Sequence, residues 1–221
     1  MSLSRLLDMS IEINLRGVPF RVHDNEALSN AIRTNGDYWE SDILDYIRDR
    51  FPIHKVVLDI GANIGNHAVY FATHLIYTKI LAFEPLPENY ELLRQNIQPY
   101  GIDKVSARNW AISDRVGRAQ IVKNEANYGA CEVSYDTLVG TEVIMSSVDT
   151  LTEFWQPVTL MKIDVEWWEP HVIAGAQKTI ERDHPLILIE DTNKAYGPLL
   201  PQYDMIYAWD HHKTYLYKWR D

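Results

Sequence analysis

Cysteine is almost missing from this sequence. The single thiol, Cys131, has no partner for an intrachain disulfide, so the expected setting is a reducing, cytoplasmic one. Long apolar runs are missing too. Nothing approaches the roughly 20 residues needed to span a bilayer, and the start, MSLSRLLDMS, lacks the apolar core of a secretory signal. Positive charge is scarce, with 21 Lys and Arg against 31 Asp and Glu and a formal net charge of −10. Nucleic-acid binding rests on Lys and Arg neutralising phosphates, so the balance argues against such a partner. Repeats, low-complexity tracts and Pro/Gly linkers are also lacking. What is present is 221 residues, 46% hydrophobic, enough for one domain with a sizeable core. Residues 1–51 read as an N-terminal extension with a cap helix, and 52–221 as the core.

The most informative stretch is Val57–Ala72, VLDIGANIGNHAVYFA. An apolar run ends in an acid, passes through a glycine turn and continues with helical spacing, the strand–turn–helix opening of a nucleotide-type site. Gly61 and Gly65 let the backbone approach a ligand where a Cβ would collide. The spacing is G-x-x-x-G rather than the G-x-G-x-x-G of NAD sites. Glu84 ends the next strand, Ile80–Glu84, 25 residues after Asp59. That is close to the interval at which α/β nucleotide sites place the carboxylate that holds a ribose. Pro87 then opens a helix with Tyr90, Leu93 and Ile97 facing inward.

The rest of the chain supplies alternating strands and helices. Residues 11–24 read as a hairpin around Arg16-Gly17. Asp37-Tyr38-Trp39-Glu40 has the D-x-x-E capping-box pattern ahead of an Ile43, Leu44, Ile47, Phe51 stripe. Glu40 is thus either a cap or, just before the glycine strand, a lid or ligand residue. Val105–Trp110 is a third strand, with Asn109, Trp110 and Ala111 at its end. Ala119–Lys123 and Val143–Val148 are strands, and the turn Asn127-Tyr128-Gly129-Ala130 marks an acceptor-side loop. Leu160–Asp164 and Pro185–Asp191 are core strands ending in acids. Residues 205–221 read as an antiparallel hairpin whose turn, Asp210–Lys213, leaves His211 and His212 solvated. The sum is an α/β fold: a doubly wound, mostly parallel seven-stranded Rossmann-like sheet with helices on both faces, an antiparallel C-terminal edge and an N-terminal hairpin and helix extension.

Three segments, VLDIGANIGNHAVYFA, AFEPLPENYELLRQNI and LMKIDVEWWEPHVIAGAQKTI, followed by PLILIED, resemble the FkbM family of S-adenosylmethionine (SAM)-dependent methyltransferases. Trp39-Glu40, Asn127-x-Gly129 and Val148–Leu151 add to the likeness, which covers roughly residues 36–191. The resemblance implies SAM as methyl donor, S-adenosylhomocysteine (SAH) as product, and methylation of a sugar or polyketide hydroxyl. Carried over by position, the cofactor set is Glu40, Asp59, Gly61, Ala62, Asn63, Gly65, Asn66, Glu84, Pro85, Asn109, Trp110, Ala111 and Asp164. In that set Asp59 and the glycine loop take the amino-acid part and Glu84 the ribose. Residues 109–111 lie beside the adenine, and Asp164 adjoins the sulfonium. The family has a small residue after D-V-E, whereas Trp167 and Trp168 follow Glu166 here. Two indoles either plug the site or wall a pyranose. With Tyr128 they form the expected acceptor contacts.

Two catalytic arrangements follow. In one, Asp164, Glu190 and Asp191 bind Mg²⁺ or Mn²⁺, which acidifies an acceptor hydroxyl. In the other, Glu166 or His171 is the general base and no metal is needed. The preferred function is a SAM-dependent O-methyltransferase acting on a sugar or glycan hydroxyl. The alternatives are metal-independent methylation of a peptide or small metabolite, and a non-catalytic SAM-binding module within a larger glycosylation protein.

Overall fold

A computed structural model describes residues 10–24, 26–122, 132–134, 140–152 and 156–220. The chain opens with the expected hairpin, β1 (Ser10–Leu15) and β2 (Val18–His23), turned by Arg16 and Gly17, both at positive φ. Positive φ at both central residues matches the twist of the flanking strands. Next comes α1 (Ala27–Asn35), which the sequence pattern had not marked as a helix. Its start is capped by Glu26, whose carboxylate accepts the amides of Leu28 and Ser29, and Gly36 closes it in the left-handed region.

Helix α2 (Ser41–Arg50) buries Ile43, Leu44 and Ile47 as the apolar stripe required. Its start is different from the expectation. Asp37 does not cap it, because the Asp37 carboxylate is bound in a fork by Arg16 at 2.7 and 2.8 Å. Arg16 also holds Asp45 at 2.6 Å, so one guanidinium ties the hairpin turn to α2. Glu40 stands at the helix N-cap in the left-handed region, with no capping bond from its side chain.

The main sheet is built from β3 (Val56–Ile60), β4 (Lys79–Phe83), β5 (Val105–Arg108), β10 (Val158–Ile163), β11 (Leu186–Glu190), β12 (Tyr203–Trp209) and β13 (Thr214–Trp219). Their spatial order is β12-β13-β11-β10-β3-β4-β5. Neighbours from β11 to β5 are parallel, while β13 runs antiparallel to both β11 and β12. The chain moves outward from β3 on one side, then crosses to β10 on the other. The strand order therefore reverses between β3 and β10, which creates a crevice beyond their carboxyl ends.

Helices cover both faces. On one, α3 (Asn66–His74) and α4 (Pro87–Ile97) pack with the hairpin, α1 and α2 around Val57, Phe71, Leu93 and Leu188. On the other, α6 (Glu169–Ala174) and α7 (Gln177–Asp183), split at Gly175-Ala176, pack with Tyr203 and Tyr215 around Leu58, Ile60, Met161 and Ile163. A short α5 (Val148–Thr152) precedes β10. Alternation along β3 sends Leu58 and Ile60 to one face and Val57 and Asp59 to the other. Truncating one of these buried aliphatics to Ala costs about 2–5 kcal/mol.

A second, four-stranded sheet was not anticipated. It contains β6 (Trp110–Ile112), β7 (Gly117–Val122), β8 (Glu132–Ser134) and β9 (Thr141–Ser146) in the order β6-β9-β7-β8. Residues 105–112 are not one strand, because the chain breaks at Asn109 and β6 leaves to pair with β9. Among the described residues, no helix is long and apolar enough to cross a membrane.

Candidate active site

A cavity of about 380 Å³ lies at the strand-order reversal, over the carboxyl ends of β3, β4, β10 and β11. The glycine loop forms its floor. Gly61 is at φ +78°, and a Cβ there would stand 1.7 Å from the Asp164 carbonyl oxygen, so the loop and the end of β10 touch backbone to backbone. The amides of Gly61 and Ala62 both donate to the Phe83 carbonyl, at 3.0 and 2.9 Å. Gly65, also at positive φ, opens α3.

Glu84 lines the cavity and is buried. Its two oxygens accept the amides of Asn63 and Leu86 at 2.8 and 2.9 Å. Burial pushes its carboxyl up to about 7, against the pull of those two amides and of Lys162. Asn63, Asn66, Pro85, Trp110 and Ala111 complete the expected cofactor residues on the wall. Asn66 also reaches outward: its side-chain amide exchanges two hydrogen bonds with the backbone of Trp39, which holds that indole over the cavity.

Besides Gly65, which opens α3 behind the loop, three expected cofactor residues lie off the wall. Asn109 donates to the carbonyls of Glu84 and Pro85 at 2.9 and 2.8 Å, holding the end of β4 from behind. Asp59 is fully buried beneath the loop, and its nearest cation is Lys162 at 3.5 Å. Glu40 faces inward under Trp39, where its carboxylate accepts the Thr214 hydroxyl at 3.0 Å and meets His67 Nε2 at 3.1 Å.

The opposite wall is acidic and aromatic, with Asp164, Glu166, Trp168 and Glu190. Lys162 is the group that organises it. Its buried ammonium donates to the Gly61 carbonyl at 2.7 Å and stands 3.1 Å from Asp164. Burial opposes its charge, but Asp164 and Asp59 override that and raise its pKa. Burial likewise pushes Asp164 up, while Lys162 and a hydrogen bond from Glu190 bring it down overall. Glu190 moves the other way, raised by burial and by the charge of Asp164. Glu190 is thus the acid of the pair whose carboxyl is raised, and Asp164 the one held down.

The expected metal set does not assemble. Asp191 is buried, and its carboxylate accepts the amides of Ala195 and Tyr196 at 2.8 and 2.7 Å, within the loop after β11. The positive charge that Asp164 needs comes from Lys162. These residues do not fit a Mg²⁺ or Mn²⁺ centre. His171 is also displaced, since it stacks on Trp168 at 4.1 Å on the side facing Asp114, away from the cavity. Trp167 is exposed beyond the rim, and Tyr128 lies outside the described residues.

Sequence reasoning missed Ala27, Leu28 and Ala31, which bring α1 over the cavity, and His67 and Asn89 on its wall. The signal for α1 was present in Leu28 and Ile32, four residues apart, with Gly36 behind them. For Lys162 the signal was a lysine inside an apolar core strand, a residue almost never buried without a partner.

A glycine loop and a buried strand-end acid around a crevice at a strand-order reversal define a Rossmann-like nucleotide-binding fold. The profile of the methyltransferase FkbM domain matches residues 59–217, and the chain belongs to the FkbM methyltransferase family. No curated protein matches the sequence. Among solved structures, the FkbM methyltransferase of Methylobacillus flagellatus aligns with TM-score 0.56 at 18% identity, over 76% of this chain. This chain spans only 44% of that protein. A methyltransferase from Geobacter sulfurreducens aligns at TM-score 0.51 and 11% identity, over 87% of this chain and 86% of its own. The putative methyltransferase yhhF of Escherichia coli aligns at 0.57 and 10%, over 96% and 99%. At these identities the structural likeness concerns the fold.

The family implies SAM, and the cavity fits it. Asn63 Oδ1 and both Asp59 oxygens are buried acceptors without a hydrogen-bond partner, which is rare in a folded chain. Asn63 lines the cavity, where a donor on the cofactor's amino-acid part would satisfy it, whereas Asp59 lies beneath the loop with Lys162 at 3.5 Å. The Glu84 carboxylate matches a ribose diol, and the glycine loop leaves room for the chain between them.

Proposed function

We propose that this protein transfers a methyl group from SAM to a hydroxyl of a sugar or glycan, without a metal at the cavity. The observation that carries this reading is the acidic, indole-lined wall opposite the glycine loop: Asp164, Glu166 and Glu190 beside Trp168. Carboxylates accept hydrogen bonds from neutral hydroxyls and repel phosphate or carboxylate acceptors, while an indole covers the apolar face of a pyranose.

Bound SAM supplies an electrophilic methyl group. The chain's part is positioning, which accounts for much of the rate of such a displacement. Asp164, held down by Lys162 and Glu190, accepts a hydrogen bond from the hydroxyl beside the reacting one and so aims the acceptor. Glu166 is the carboxylate at hand to take the proton. Trp39, clasped by Asn66, and α1 exclude water from one side.

An acidic wall also suits a cationic amine, so small amines and peptides form the second arm of the test. Labelled SAM is offered with a panel of glycosides and a panel of amines. Transfer confined to glycosides, lost in E166Q and with a raised KM for acceptor in W168A, supports the proposal. Transfer confined to amines, or SAH binding with no turnover on either panel, overturns it.

A further inference from the structure

We infer that Asp42, His211 and His212 form a binding site for a divalent transition-metal ion of the Zn²⁺ type, separate from the cavity. Asp42 lies in the first turn of α2, and the two histidines lie in the turn between β12 and β13. Folding brings them together from opposite ends of the chain, so that one ligand atom from each lies within 4.8 Å of the other two.

Asp42 faces the two imidazoles with a different oxygen toward each ring. His211 Nε2 stands 3.2 Å from Asp42 Oδ2, and His212 Nε2 stands 3.3 Å from Asp42 Oδ1. A tetrahedral ion with bonds of about 2.0–2.2 Å sets its ligand atoms about 3.3–3.6 Å apart. In the structure His211 Nε2 and Asp42 Oδ2 are joined by a hydrogen bond, whose proton an ion would replace. Two imidazoles and one carboxylate select Zn²⁺, Co²⁺, Ni²⁺ or Cu²⁺ over Mg²⁺, which prefers oxygen.

A second observation lies behind His212. Its other ring nitrogen, Nδ1, faces Glu40 Oε1 at 3.9 Å. Metal-bound imidazoles commonly hold their second nitrogen toward a carboxylate, which sets the tautomer. The His212 side chain is 16% exposed and its ring packs edge-on against Trp39 at 5.4 Å. Asp42 and His211 remain open to solvent, which leaves a fourth position for water. An ion there joins the N-terminal cap to the C-terminal hairpin directly across Trp39, one wall of the cofactor cavity.

The test is titration of the untagged chain, first stripped with chelator, with Zn²⁺ by calorimetry and with Co²⁺ by visible absorption. The expected result is a single bound ion with the intense bands of four-coordinate Co²⁺. H211A and D42N change exposed side chains, so both should keep the wild-type fold by circular dichroism and the wild-type SAH affinity. Each should weaken Zn²⁺ by at least about tenfold and abolish the Co²⁺ bands. Zn²⁺ affinity unchanged in H211A and D42N, or no saturable binding to the wild type, overturns the site and leaves an ion-pair cluster. The readout is metal binding, so it stands or falls independently of the acceptor's identity.

Discussion

Glu84 Oε2 accepts the backbone N–H of Asn63 at 2.8 Å, tying the acid that ends β4 to the glycine loop that follows β3. The same carboxyl is pushed up to about 7, chiefly by burial. Ribose hydroxyls donate to the ionised form, so SAH binding should release a proton below that pH. Affinity is then expected to fall by up to about tenfold per pH unit below about 7 and to level off above it. Calorimetry in buffers of different ionisation enthalpy reads both effects. For the ligand-free chain the sign is opposite. Between the ordinary value of 4.5 and about 7 the folded state holds the extra proton, so Glu84's contribution to stability declines as pH rises through that window. E84Q keeps one acceptor oxygen but turns an NH₂ toward the other backbone amide, so it should lose this pH dependence of melting, melt no higher than wild type and bind SAH about 10–100-fold more weakly. An affinity independent of pH would remove Glu84 from the ribose role.

Two glycines at positive φ make a contrast. Gly17 has nothing within 4 Å of an added Cβ, while at Gly61 that atom would lie 1.7 Å from the Asp164 carbonyl oxygen. G17A should cost only the strain of its backbone, about 1 kcal/mol. G61A must push β10 away from the loop, with an expected loss of about 3 kcal/mol or more and no measurable SAH binding. Urea unfolding of both variants checks the ranking, and equal losses would show that the loop and β10 are not in contact.

Much of this arrangement is legible in the sequence because it depends on local pattern. Val56–Ile60, Pro87 at the start of α4 and the Asp210–Lys213 turn follow from periodicity, proline and turn chemistry. The parts not legible there depend on contacts distant in sequence. Asp37 matches a capping box, but Arg16 of the hairpin engages its carboxylate, and α2 begins four residues later. Asp191 looks equivalent to Glu190 as a strand-end acid, yet alternation turns the two to opposite sides of the chain and only Glu190 reaches the cavity. His212 was expected in solvent with His211, and Trp39, brought up by Asn66, covers it. Lys162 becomes interpretable only when β3 and β10 are placed side by side.

Lys162 predicts a variant whose stability depends on pH. In the wild type its raised pKa keeps the ammonium charged across the neutral range, so its contribution is lost only far into the alkaline range. K162M leaves Asp59 and Asp164 with no adjacent cation, at an expected cost of about 3–5 kcal/mol at neutral pH. The Asp164 carboxyl, no longer held down by Lys162, should then rise in pKa and protonate in the folded state, so the deficit shrinks as pH falls. Urea unfolding at about pH 5 and pH 8 measures it. A deficit of the same size at both would assign the loss to packing rather than to charge.

The opposite pKa shifts of Asp164 and Glu190 separate the two acids by role. The raised carboxyl of Glu190 favours its neutral form, and an amide reproduces a neutral donor, so E190Q should stay within about threefold of wild-type turnover. Asp164 is the acceptor, and D164N places two donors face to face while removing the group that aims the hydroxyl. Its turnover should fall about 10²-fold or more, with SAH affinity reduced less than turnover. The stability profiles should differ in direction. Asp164's lowered pKa gives a contribution that is present at neutral pH and lost as pH falls through it. Glu190's raised pKa gives one that is lost as pH rises through it, and E190Q should flatten that alkaline decline. Turnover on the best acceptor, measured beside thermal melts from acid to alkaline pH, tests both halves. If E190Q proves as damaging as D164N, Glu190 acts as a carboxylate in the resting site and the two acids do not divide these roles.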